Sequence, residues 1–137
     1  LKAVSDVSDS FRVDVLGNVV DGTDKAKAQE QIEYICAQLA VLAEKSQKKN
    51  IVFASTVDSK NLAGIDEIAD KAIGKTLSDA KYAGAVLTDA KALKVLEAAE
   101  GVVLIEKLFA TTYNDFEKEL QLCKRLNVPV VGCIVVR

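Results

Sequence analysis

Histidine is missing from this sequence altogether, and so are methionine and tryptophan. Without histidine the chain lacks the commonest general base near neutral pH and the commonest metal ligand. No metal site or cofactor is therefore expected. The lack of methionine, initiator included, leads us to expect a piece of a longer chain. Aromatic residues make up only 5%, so the core must be built from aliphatic side chains. The three cysteines, Cys36, Cys123 and Cys133, are odd in number, far apart and never in a C-x-x-C pair. They read as small buried hydrophobes in a reducing, cytoplasmic compartment, not as a disulfide framework. Neither sign of charge dominates: the net charge is −2, too little positive field for sequence-independent nucleic-acid binding. No apolar run approaches the ~18 residues of a membrane helix, and no signal-peptide pattern opens the chain.

What is present is half apolar and 28% charged across 137 residues, the composition of one globular domain over 1–137 with a loose lead-in at 1–10. The clearest pattern is C-terminal. Val102-Val103-Leu104-Ile105 and Val130 to Val136 are continuous apolar runs, and Thr111 to Leu126 between them has helical spacing. Strands that are apolar on both faces belong to a parallel sheet covered on both sides. The expected fold is thus α/β, a small three-layer Rossmann-like domain with a mostly parallel sheet and helices on both faces.

Upstream, Val13 to Leu16 reads as a strand closed by Gly17-Asn18. Lys25 to about Lys48 reads as an amphipathic helix whose inward stripe is Ile32, Ile35, Cys36, Leu39, Leu42 and Ala43. Ile51 to Ala54 reads as a strand, and 60–72 as a helix. Ala85-Val86-Leu87 is a strand stub or an extended loop. Asp89 then opens a helix with Ala92, Leu93, Leu96 and Ala99 inward.

Ligands of open α/β sheets sit beyond the C-terminal ends of the strands. The polar loop Ser55 to Ser59 lies there, between a buried strand and a helix N-terminus. A phosphate-binding loop needs glycines, so that backbone N–H groups can wrap the anion. Residues 55–59 contain none. The loop reads first as a helix cap, with Ser55, Thr56, Ser59 and Lys60 as candidates for holding an anion. Gly74-Lys75-Thr76 has the ending of such a loop but follows a helix, so it is set aside. Asp66, Glu67, Asp70, Asp79, Asp89, Asp115, Glu117 and Glu119 read as solvated helix faces. Asp58 is a lone acid at a strand end. Glu106-Lys107, ending a core strand, fits a switch residue or a solvent-side pair equally. An α/β enzyme using Asp58 or Glu106 is the least supported alternative.

Leu96 to Ile105 and Leu126 to Val136 resemble the late strands of bacterial polysaccharide chain-length determinants and their tyrosine-kinase domains, typically "LAKLADGVLLVV" and "LGVPVLGVVLN". Val15 to Val20 resembles the family's "VLGVIP" segment, Glu30 to Leu39 its "EAYRTLRTNL" helix, and Asn61-Leu62-Ala63 its "NLA". The resemblance spans Val13 to Val136 and implies a P-loop, MinD-like α/β fold on the cytoplasmic side of the bacterial membrane. Attachment to the membrane would come only through a segment outside this chain. The departures fall on the catalytic parts. Ser55 to Ser59 replaces the Gly-rich loop, and the acidic metal-binding strand has no counterpart near Tyr82 to Val86. Two arginines of the oligomerisation helix are Glu33 and Cys36 here, and no tyrosine cluster follows Val136. Phosphoryl transfer depends on placing phosphate and metal, so kinase activity does not carry over.

The expected function is therefore a non-catalytic, kinase-like domain of a capsular, exopolysaccharide or lipopolysaccharide chain-length regulator. It would work through protein partners of the synthesis and export machinery, or through self-association. The alternative is a domain that senses a nucleotide or anion through Ser55, Thr56, Ser59 and Lys60 without hydrolysis.

Overall fold

The structure, a computed structural model, describes residues 15–19, 25–46, 50–57 and 81–136. The expected lead-in, the expected helix over 60–72, and Asp58, Ser59 and Lys60 lie outside the described residues. Among the described residues, five strands and three helices follow in order. They are β1 (Val15–Val19), α1 (Lys25–Ser46), β2 (Ile51–Ser55), β3 (Lys81–Ala85), α2 (Ala90–Glu97), β4 (Gly101–Lys107), α3 (Tyr113–Arg125) and β5 (Val130–Val136). The strands form one sheet in the order β1-β5-β4-β2-β3, and every pairing is parallel. The fold is the expected three-layer, Rossmann-like α/β arrangement.

Alternation along the buried strands sorts their side chains between two cores. Ile51, Phe53, Val103, Ile105, Ile134 and Val136 meet Ala28, Ile32, Ile35, Cys36 and Leu39 of α1. Ala54, Val102, Leu104, Cys133 and Val135 meet Ala92 and Leu96 of α2 and Phe116 and Cys123 of α3. The topology explains the division. The chain moves one way along the sheet from β1 to β2 and the other way from β3 through β4 to β5. Crossovers of one handedness that travel in opposite directions lay their helices on opposite faces. Each fully buried Val, Leu, Ile or Phe side chain here contributes about 1.5–3 kcal/mol over leaving it exposed.

Local chemistry sets the helix ends. Asp89 and Thr112 are N-caps, accepting from the backbone N–H of Lys91 at 2.9 Å and of Asp115 at 3.0 Å, which satisfies donors the helix leaves open. At the far end of α3, Asn127 takes the left-handed conformation, φ 56°. The Val128 N–H then reaches the Cys123 carbonyl at 2.9 Å, and the Asn127 N–H the Lys124 carbonyl at 3.2 Å. That is a Schellman cap, with Val128 buried and Pro129 following to stop the helix. The Asn50 side-chain amide donates to the Ala98 carbonyl at 2.7 Å, tying the end of α2 to the start of β2.

Three expectations need correction. β1 does not close at Gly17-Asn18; both residues pair with β5, and a register irregularity between Val15 and Gly17 absorbs the glycine. Ala85 to Leu87, expected as a strand stub or an extended loop, is neither: Ala85 ends β3 and Val86 to Thr88 form a turn. β3 carries a register shift opposite Phe53 and Ala54, at which Gly84 sits with φ 95°. Leu93 does not face inward: it is 37% exposed, whereas Ala92 and Leu96 are buried.

Candidate functional site

β2 and β4 are neighbours, but the chain leaves β2 for β3 on one side and returns to β4 on the other. Their C-terminal ends therefore flank the point where the sheet reverses direction, which is where open α/β sheets place ligands. Four buried or half-buried polar residues from different segments converge there: Thr56 after β2, Glu106 near the end of β4, Thr111 from the loop that follows, and Glu119 from α3.

Glu106 is fully buried on the same strand face as Val102 and Leu104, the face that α3 covers. Its carboxylate accepts the backbone N–H of Thr56 with both oxygens, at 3.1 and 3.2 Å. One oxygen also accepts the Thr56 hydroxyl at 2.6 Å and the Thr111 hydroxyl at 2.8 Å. Thr111 Oγ1 in turn accepts the Lys107 N–H at 3.0 Å. A tight turn brings Thr111 back over the carboxylate: its N–H bonds to the Lys107 carbonyl at 2.9 Å. Phe109, at the turn's tip, is left-handed at φ 66° and 81% exposed.

Glu119 occupies a core position. It falls between Phe116 and Cys123 at helical spacing and is as completely buried as they are. Neither of its oxygens meets a hydroxyl, an amide or a cation. The group that its carboxyl meets is the carboxyl of Glu106. Two carboxylates cannot hydrogen-bond to each other, so the contact requires a proton between them. Burial pushes the Glu119 carboxyl well above the ordinary range, and the neighbouring Glu106 charge pushes it further. Burial also raises Glu106, while its hydrogen bonds from Glu119, Thr56 and Thr111 oppose that rise. Glu119 is accordingly the protonated member and donates its O–H, and Glu106 is the anion that collects the donors.

Two sulfurs complete the surroundings. Burial lifts the Cys123 thiol to about 11 and the Cys133 thiol well above its ordinary value, so both stay neutral. All three cysteines are buried, as expected, and none is in a disulfide. Among the described residues no group of three or more acidic, cysteine or histidine side chains could hold a metal ion. No described helix is long and apolar enough to cross a membrane.

Of the residues read from the sequence as anion candidates, Thr56 lies in this cluster and Ser55 is next to it in the chain, and both are engaged within the protein. Ser55 is buried and its Oγ accepts the Val57 N–H at 3.1 Å. Thr56 gives both of its donors to Glu106. Ser59 and Lys60 lie outside the described residues, as does Asp58. Glu106, for which a solvent-side pair was an equal reading, is buried. Glu119, read as part of a solvated face, is also buried; its spacing from Phe116 and Cys123 was the available signal. Thr111 carried none, because only the turn at Phe109 aims it at Glu106.

No protein-family model matches the chain, and no curated protein matches it.

Proposed function

We propose that this chain is a non-catalytic, kinase-like domain of a bacterial polysaccharide chain-length regulator, lying on the cytoplasmic side of the membrane and working through protein contacts. The observation that carries the reading is the carboxylate of Glu106 against the loop after β2. A nucleotide phosphate bound at that strand end would need the backbone N–H and hydroxyl of the loop as donors. At Thr56 both already serve an internal anion. An external phosphate would have to displace a buried carboxylate of the same sign. The sequence resemblance over Val13 to Val136 supplies the polysaccharide context, and the glycine-free loop supports the loss of catalysis. Partners would be proteins of the synthesis and export machinery, or a second copy of the chain.

The test is a thermal-shift titration with ATP, ADP and inorganic phosphate, each with and without Mg²⁺. A ligand at 100 times its dissociation constant adds about 2.7 kcal/mol of stability, so millimolar ligand with no shift is the expected result. A Mg²⁺-dependent shift with ATP, abolished by Lys60→Ala, would overturn the reading in favour of nucleotide sensing. ATP-dependent autophosphorylation of the longer protein, lost on deletion of this domain, would overturn it in favour of catalysis.

A further inference from the structure

We propose that the Glu106–Glu119 pair is a proton-held latch, which fastens α3 to the C-terminal edge of the sheet and releases it as the pH rises. The inference rests on the geometry of the pair and holds whichever partner the domain has. Two glutamates from β4 and α3 meet in a site from which solvent is excluded. Glu106 has three donors besides Glu119, the Thr56 N–H, the Thr56 hydroxyl and the Thr111 hydroxyl, and so is equipped to be an anion. Glu119 has none, so its carboxyl is compatible with the site only while it carries a proton.

The groups that act on the pair from the packed elements, among the described residues, are Cys123 on α3, Cys133 on β5, Thr56 after β2 and Thr111 after β4. No lysine or arginine is among them, so among the described residues nothing cationic there stabilises a second negative charge. Burial lifts both thiols above their ordinary value. Loss of the shared proton therefore leaves two anions in contact in a dry site. The relief available is movement: Glu119 must reach water, and it shares its helix face with Phe116 and Cys123. Turning it outward lifts that face from Leu104 and Cys133 of the same core. It uncovers apolar surface beside the Thr56 turn, whose hydrogen bonds to Glu106 keep the other half of the cluster in place.

The sign follows from linkage. Both carboxyls hold their proton more tightly folded than unfolded, relative to an ordinary value of 4.5. Their contribution to stability is complete below that value and is lost as the pH rises through the folded range. The experiment is the melting temperature of the wild-type chain and of Glu119→Gln measured from pH 5 to pH 9. The glutamine amide donates permanently to Glu106 and cannot be deprotonated. The wild type should lose stability across the range, and the variant should lose measurably less. Parallel curves would overturn the latch. Because a variant could fail for reasons of folding, a second measurement uses the wild type alone: its infrared carbonyl band for a protonated carboxylic acid, in D₂O at neutral pH. The band should persist at pH 7 and disappear together with the hydrogen-exchange protection of α3 as the pH is raised. Its absence at pH 7, or its loss with α3 protection unchanged, would overturn the proposal.

Discussion

Opposite faces of the same strands are closed by different chemistry. On one face α1 lays an unbroken apolar stripe, Ala28, Ile32, Ile35, Cys36 and Leu39, across Ile51, Phe53, Val103, Ile105, Ile134 and Val136. On the other, α3 inserts Glu119 between Phe116 and Cys123 and sets it against Glu106. Dispersion and the hydrophobic effect are nearly independent of pH, and a shared proton is not. The first face is therefore a permanent closure and the second a conditional one. The conditional face is also the one at the strand ends where the chain reverses direction. Buried polar networks specify geometry when fully satisfied and are costly when any member is missing.

Substitutions can break this contrast in order of expected size. Ile32→Ala on the permanent face should cost about 3 kcal/mol in chemical denaturation, through lost burial and the cavity left behind, and the cost should be the same at pH 6 and pH 8. A strong pH dependence of that cost would mean that the two faces are coupled. Glu106→Ala should cost about 2 kcal/mol, because the Thr56 N–H and two hydroxyls lose their acceptor in a buried site. Thr111→Val should cost far less in that background than in the wild type, and additive losses would show that the threonine and the carboxylate act separately. Phe109→Gly should be the mildest change, a gain of about 0.5 kcal/mol. Glycine relieves the left-handed strain, and the larger entropy of its unfolded state returns part of the benefit. A loss of stability instead would assign the exposed Phe109 ring a packing role within the chain.

Much of the permanent face was legible in the sequence because its signals are local. The inward positions of α1 recur at helical spacing within one segment, and β4 and β5 announce themselves as unbroken apolar runs. β3 was harder to read. Lys81-Tyr82-Ala83-Gly84-Ala85 pairs with β2 alone, at the edge of the sheet, and has little apolar character. Gly17-Asn18 looked like a stop because glycine and asparagine favour turns, yet pairing with β5 holds them extended. The conditional face was legible only in part. Thr56 was found as a loop residue at the right strand end, but its partner lies 50 positions away. No local spacing reports that pairing. Glu119 shows the limit most clearly, since charge alternation argued for solvent while the spacing from Phe116 and Cys123 argued for the core. The core reading prevailed because a single proton makes the side chain neutral.

The parallel pairing of β1 with β5, Val15 against Cys133 and Val19 against Val136, has a consequence for how the chain is made. Ribosomes add ~5–20 residues per second, so on the order of ten seconds separate the synthesis of the two strands. Through that interval β5, the partner strand of β1 among the described residues, does not yet exist. The sheet can be completed only after β5 has emerged, by a contact between distant parts of the chain, which makes this pairing a slow step in folding. During that wait the nascent β1 is open to capture by a chaperone or by a neighbouring chain.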